Sequence, residues 1–205
     1  QLNGTVVFQH AGEPIPTAVE LGQRLEVGDK LITQQAASVT LKFPDASTLI
    51  LRENSELVID VLETYGDENG FNTQLKLQRG RTENHANPEH KGGSRFEIHT
   101  PSATAAVRGT VYRVNAEADS TASEVLDGRV QIANALGEQK VPGGYGTRTE
   151  KDKPPTPPVV LLAAPDLQNV PTLFERLPIR HKLSHPAGAS AYRVQVADDL
   201  AFQHL

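Results

Sequence analysis

The sequence has no cysteine, no methionine and no tryptophan among its 205 residues. The absence of cysteine excludes a disulfide framework and a thiolate metal site. It does not fix the compartment, because a chain without cysteine tolerates either redox environment. The chain begins with Gln1 although a gene product begins with methionine. We therefore expect a processed or excised piece, from which any signal peptide, membrane anchor or upstream domain has been removed.

Dense clusters of basic residues and long apolar runs are also missing. The formal net charge is −5 and the sequence pI is about 5.8. Nucleic-acid binding needs a basic stripe that displaces counterions, so nucleic acid is not an expected partner. The longest apolar run covers residues 159–164, far short of the length that crosses a bilayer. We expect no membrane span in this fragment.

Short runs of alternating apolar and polar residues fill most of the chain. Turn residues separate these runs at intervals of roughly 8–12 residues, the spacing of an all-β sandwich, roll or barrel. We predict an all-β fold, a twisted antiparallel sandwich or roll, with a β-solenoid-like arrangement as the alternative. The predicted strands cover residues 5–8, 30–33, 38–43, 48–52, 57–62, 71–77, 96–100, 107–114, 123–126 and 129–133.

Proline marks a predicted domain boundary. Residues 151–158 read KDKPPTPP, with four prolines in eight residues, which predicts an extended and semi-rigid spacer. Residues 1–150 would then form one β domain. Residues 159–205 hold two strand candidates, 177–183 and 191–197, too few to close a sandwich. They are expected to be the incomplete start of a second β-sandwich domain.

The stretch RFEIHTPSATAAVRGTVYRV, residues 95–114, has very small side chains before an Arg-Gly-Thr triplet. Small residues predict a place where two backbones come close. Thr110, Tyr112 and Val114 share a parity and should face inward. The same parity sends Arg108 inward, with Val107 on the other side unless Gly109 carries a bulge.

A buried arginine needs a carboxylate or several carbonyl groups, because an unpaired buried charge is costly. Asp45, Asp29 or Asp127 could supply the carboxylate. Arg108 is either a structural clamp between strands or a ligand-facing residue. Both alternatives stay open at the level of sequence.

Enzyme motifs are missing from the sequence. No Gly-x-Ser-x-Gly elbow surrounds Ser102, and the glycine-rich residues 143–146 precede neither a helix nor a Lys-Ser/Thr pair. His85, His90 and His99 lie close in sequence, but their spacing is that of neither a helical nor a strand metal site. We therefore predict no catalytic residue, no cofactor site and no metal site. Polysaccharide clefts use exposed aromatic platforms, and aromatic residues make up only 5% of this chain.

Five motifs resemble those of the FecR-type extracytoplasmic domain of bacteria. In chain order they are GQRLEVGDKLIT, VTLKFPDASTLILRENSEL, LQRGRT, FEIHTPSATAAVRGTVYRV and VLDGRVQI. The fourth is the closest match, and the resemblance covers about 140 residues. One departure is Ala46, where the family more often has glycine, which suggests a different turn geometry. The structural motif that the resemblance assigns consists of Asp45, Thr100, Pro101, Arg108, Gly109 and Thr110.

The resemblance implies a periplasmic or surface-exposed module that makes protein contacts, and the family is best known for relaying signals from an outer-membrane receptor to a sigma factor. Near the end of the chain, GASAYRVQVADDLAF resembles the early strands of fibronectin type III-like modules, with Leu183 where tryptophan is commoner. We predict a non-enzymatic interaction or scaffolding module of the bacterial envelope, with another envelope protein or a cell-wall polymer as partner. The alternative is a carbohydrate-active protein that binds peptidoglycan or polysaccharide through polar loops.

Overall fold

The structure is a computed structural model that describes residues 1–65, 70–87, 94–107, 109–165 and 187–189. The chain divides into two compact units, Gln1–Val160 and Leu161–Leu205. The described residues form strands and no helix, so the all-β prediction is confirmed. They accordingly offer no helix of the length and apolar character that crossing a membrane requires. The predicted fibronectin-like segment lies almost entirely outside the described residues.

Sixteen strands occur in the described part of the chain. In order they are β1 (Leu2–Asn3), β2 (Val6–Gln9), β3 (Thr17–Ala18), β4 (Lys30–Thr33), β5 (Ser38–Lys42), β6 (Thr48–Leu51), β7 (Glu56–Tyr65), β8 (Gly70–His85), β9 (Arg95–His99), β10 (Thr104–Val107), β11 (Val111–Ala116), β12 (Ser120–Asp127), β13 (Arg129–Asn134), β14 (Gly137–Pro142), β15 (Tyr145–Glu150) and β16 (Val159–Val160).

These strands form two open layers that share β8. The first layer has the order β1-β5-β6-β8-β11-β12-β15-β16. The second has the order β3-β2-β4-β7-β8-β9-β10-β13-β14. Neighbouring strands are antiparallel except β8 and β9, which are parallel. The sheet is therefore mixed, and it does not close into a barrel.

Gly80 lets β8 pass from one layer to the other. Arg79 still pairs with Glu56 of β7, whereas Gly80 pairs with Ala116 of β11. Gly80 has a φ of +94°, and a Cβ at this position would lie 2.5 Å from the Cα of Ser55. Only glycine combines this conformation with so close an approach. The strand can therefore change layer without interruption.

One hydrophobic core lies between the two layers. It takes large side chains from the first layer, such as Leu49 and Tyr112, and from the second, such as Leu75 and Ile98. The rings of Phe43 and Phe96 meet edge to face across the layers, with centroids 5.2 Å apart. The predicted inward parity of Thr110, Tyr112 and Val114 is confirmed, since each is at most 2% exposed.

The small-residue segment differs from its predicted secondary structure. We predicted one strand over 107–114, but β10 ends at Val107 and β11 begins at Val111. Val107 pairs with Phe96 and Val130 in the second layer, whereas β11 belongs to the first. The chain changes layer around Gly109, whose φ is +63°. This break explains why Val107 and Tyr112 are both buried despite their opposite parity.

Candidate functional site

The turn between β9 and β10 is built around the hydroxyl group of Thr100. This hydroxyl donates to the carbonyl of Ala103 at 2.8 Å and accepts from the Ala103 amide at 3.0 Å. It also lies 2.7 Å from the hydroxyl of Thr121, which lies 2.7 Å from that of Ser102. Thr121 belongs to β12, so three hydroxyl groups join the turn to the opposite layer. Pro101, between Thr100 and Ser102, is exposed.

A second close approach lies at Gly109 and Thr110. A Cβ on Gly128 would be 2.8 Å from the carbonyl oxygen of Gly109, so these two backbones touch. Thr110 donates its hydroxyl to the carbonyl of Arg129 at 3.0 Å, and exchanges two backbone hydrogen bonds with Ala86. Glycine is needed at position 128, because a Cβ there would also lie 3.3 Å from the Cα of Thr110 and the φ is +83°. Arg108 lies outside the described residues, so its role as a clamp stays a prediction.

Asp45 lies in the turn between β5 and β6 and is 5% exposed. Its carboxylate accepts from the amide of Ser47 at 2.9 Å and from the Ser47 hydroxyl at 2.8 Å. Asn87 donates its backbone amide to the Ser47 hydroxyl and its side-chain amide to the Asp45 carbonyl, both at 3.0 Å. Ala46 has a φ of +60°, the left-handed conformation that glycine favours. The two hydrogen bonds from Asn87 tie the Asp45 turn to the segment that follows β8.

Asp29, the second predicted partner of Arg108, binds two loops near the start of β4. Its carboxylate accepts from the Glu26 amide at 2.7 Å, from the Ala11 amide at 3.2 Å and from Nδ1 of His10 at 2.8 Å. Asp29 is 1% exposed, whereas the His10 side chain is 42% exposed. The third candidate, Asp127, is exposed at the end of β12. The sequence contained the Gly-Asp motif but did not reveal this role of Asp29.

Asp45, Thr100 and Thr110 therefore form ties between segments, and Asp45 and Thr110 are buried. The side chains of Asp45, Thr100 and Thr110 hydrogen-bond to groups of the protein itself. Burial also raises the pKa of the Tyr112 phenol in the core nearby. Its hydroxyl has no hydrogen-bond partner among the described residues. This geometry suits structural ties better than nucleophilic or acid–base chemistry.

The predicted histidines do not come together. His85 is exposed at the end of β8 in the first layer, and His99 lies on β9 in the second. Nδ1 of His99 is 3.0 Å from the hydroxyl of Thr104, and His90 lies outside the described residues. Across the described parts of the chain, no group of three His, Cys, Asp or Glu residues could hold a metal ion.

Sequence reasoning missed an apolar groove of about 820 Å³ between the edge of β5 and the second layer. Its apolar lining includes Leu21, Leu41 and Phe71, and the charged Arg24 and Lys42 also line it. Leu21 is 79% exposed at this groove. The groove could not be found from sequence because residues 19–25 show no strand or helix pattern. Its lining offers apolar surface and carries no described array of catalytic groups.

Comparisons with known proteins agree with this geometry. The family model described as "FecR protein" matches residues 29–131, about half of the chain. This range begins at Asp29 and includes Asp45 and the whole small-residue block. No curated protein matches the chain.

Two solved structures of a Parabacteroides distasonis protein, described as a "putative anti-sigma factor", share the fold. One was determined at 2.50 Å and the other at 1.65 Å resolution. Each matches with a TM-score of 0.52 and 15% sequence identity, over 64% of this chain and 59% of that chain. The chain thus spans less than two thirds of that protein. On the family match, together with the shared motifs, this chain belongs to the FecR protein family.

Proposed function

We propose that the chain is a non-enzymatic protein-interaction or scaffolding module of the bacterial cell envelope, with a link to signalling. The observation that carries the proposal is the FecR family match over residues 29–131. FecR domains typically lie in the periplasm within signalling proteins. That setting supports a periplasmic or surface location and another envelope protein as the partner.

The fold gives independent support of a coarser kind. The Parabacteroides distasonis protein described as a "putative anti-sigma factor" shares the fold at 15% sequence identity. Such proteins act by contacting other proteins. The buried ties of the motif residues fit a rigid scaffold whose outer surfaces make those contacts.

The alternative, a carbohydrate-active protein, has less support. Among the described large apolar side chains, Tyr145 is the only exposed aromatic residue, at 36%. A row of aromatic platforms is therefore not seen in these parts of the chain. The lining of the groove is mainly apolar, whereas a sugar site needs polar groups that bind hydroxyls.

Co-sedimentation with isolated peptidoglycan sacculi separates these two functions. The purified chain should stay in the supernatant over a range of protein concentrations, as should bovine serum albumin run beside it. Saturable sedimentation with the sacculi would overturn the proposed function and favour the carbohydrate-binding alternative.

A further inference from the structure

Residues 153–160, which we name the proline strap, lie along the outer edge of β15. Val159 pairs with Gly146 and Val160 with Tyr145, both antiparallel. The Thr156 amide donates to the Arg148 carbonyl at 2.9 Å. The strap therefore occupies the edge of the first layer.

The pairing between the proline strap and β15 is incomplete as a strand ladder. The Arg148 amide donates to the hydroxyl of Thr156 at 3.1 Å, where a regular neighbour would offer a backbone carbonyl. The Thr147 hydroxyl donates to the Thr156 carbonyl. Pro157 and Pro158 have no amide hydrogen to donate. The strap thus covers the edge with fewer backbone hydrogen bonds than an ordinary strand would form.

The start of the strap is fixed to the second layer. Asn134 donates its side-chain amide to the Lys153 carbonyl at 2.7 Å, and a Cβ on Gly137 would be 3.2 Å from the Cβ of Pro154. Pro155 is buried. A hydrogen bond from Lys153 holds the pKa of the exposed Glu150 carboxyl below its ordinary value. The start of the strap is therefore held by the second layer in addition to its contacts with β15.

The end of the strap pairs with β15 but buries little of its own apolar surface. Val159 is 65% exposed, Val160 is 70% exposed, and Tyr145 beside them is 36% exposed. A sheet edge that loses its covering strand is a common template for an added strand, and Tyr145 on β15 would offer apolar surface there. Prolines on an edge strand block such addition while they remain in place.

We propose that the β15 edge is a strand-docking surface, which the proline strap occupies within the chain until a partner strand replaces it. This inference rests on the proposed protein-interaction function. The partner that fits is an extended segment of another protein, without proline opposite Thr147 and Arg148. Apolar side chains at alternate positions would pack beside Tyr145.

A partner strand can replace the strap because it can form backbone hydrogen bonds with β15 that the strap does not form. A proline-free strand can accept from the Arg148 amide with a backbone carbonyl and can donate its own amides in return. The strap competes with the advantage of an intramolecular ligand, which acts at an effective concentration in the millimolar range. The apparent affinity for a partner is therefore the affinity for the open edge multiplied by the fraction of molecules whose edge is open.

The experiment uses the full chain and two variants that loosen the strap. Thr156→Val keeps the shape of the side chain but removes the hydroxyl that accepts from the Arg148 amide. Asn134→Ala removes the bond to the Lys153 carbonyl, together with the bond to the Ser102 carbonyl and the bond from the Leu136 amide. Thr149→Val is the matched control, because the Thr149 hydroxyl is buried without a partner among the described residues. Hydrogen exchange of the Arg148 amide should accelerate at least tenfold in the first two variants and stay unchanged in the control.

The probe is a fluorescent peptide of residues 154–161 that carries P157T and P158V, with the native peptide as its control. Anisotropy should show at least tenfold tighter binding of the edited peptide to Thr156→Val than to the wild-type chain. The native peptide should bind at least tenfold more weakly than the edited one.

Three results would overturn the proposal. The first is unchanged exchange in both loosened variants, which would make the strap a permanent part of the fold. The second is a variant with accelerated exchange that binds the two peptides equally well, or binds neither. The third is dimerisation of Thr156→Val in sedimentation velocity, which would identify a second copy as the occupant. None of these results depends on the native partner, so the proposed function would still stand on its own tests.

Discussion

The carboxylate of Asp29 accepts three hydrogen bonds, and Asp29→Ala removes all of them at once. The donors are the amides of Glu26 and Ala11 and the ring of His10. Asp29 is 1% exposed, so water does not replace the lost acceptor without a local rearrangement. The variant therefore leaves two backbone amides without their acceptor inside the protein.

The size of the effect follows from these contacts. A hydrogen bond to a charged group contributes about 1.5–3 kcal/mol, but the three bonds share one acceptor and do not add fully. We expect Asp29→Ala to lower the free energy of unfolding by about 3–5 kcal/mol, the range for breaking a buried ionic arrangement. Since about 1 kcal/mol shifts Tm by about 2–4 °C in a domain of this size, Tm should fall by roughly 6–20 °C.

Thermal melts followed by far-ultraviolet circular dichroism measure this effect, since the chain has no tryptophan for fluorescence. His10→Ala is the control, because it removes only the half-exposed partner. It should lower the free energy of unfolding by less than about 1 kcal/mol. Asp29→Asn, which keeps one acceptor oxygen, should fall between the two. Equal destabilisation by His10→Ala and Asp29→Ala would contradict this role of Asp29. Wild-type melting of Asp29→Ala would contradict it as well.

Three further predictions concern other parts of the structure and are tested by the same melts. Gly80→Ala should lower the free energy of unfolding by at least about 3 kcal/mol, because its Cβ meets the backbone of Ser55 at a positive φ. Gly144→Ala is the control: it has open space around it and should lower the free energy of unfolding by only about 1–2 kcal/mol. Equal losses in the two variants would contradict the layer-crossing role of Gly80. Tyr112→Phe should be neutral or stabilising by up to about 1 kcal/mol, since the buried hydroxyl has no partner among the described residues; a clear loss would reveal one. Arg108→Ala should destabilise by roughly 2–5 kcal/mol and Arg108→Lys should recover only part of this; unchanged melting of both would favour a ligand-facing arginine.

The apolar strands could be predicted because their side chains alternate clearly. Residues 30–33 were predicted and form β4 with the same bounds. The inward parity of Tyr112 could also be predicted, because one layer is buried and a shift of one residue would expose it. The small side chains of 100–106 predicted a close approach to a neighbouring strand, and in the structure the hydroxyl groups of Thr100 and Ser102 join this segment to Thr121 of β12.

Other features could not be predicted because they depend on contacts distant in sequence. β14 reads GEQKVP and β15 reads YGTRTE, so neither shows apolar alternation. The crossing of β8 at Gly80 depends on Ser55, which is 25 positions earlier. The Asp29 carboxylate reaches Ala11 across 18 positions. No local pattern of residue types signals such pairings.

The most direct test of the interaction function is photo-cross-linking in living cells of the producing bacterium. A photoreactive residue would replace the exposed Leu21 at the groove or the exposed Lys140 on β14, one position at a time. We expect a discrete adduct with one identified envelope protein from at least one position, unchanged after enzymatic digestion of the cell wall. Adducts that disappear after this digestion, or cross-links to wall material alone, would contradict it.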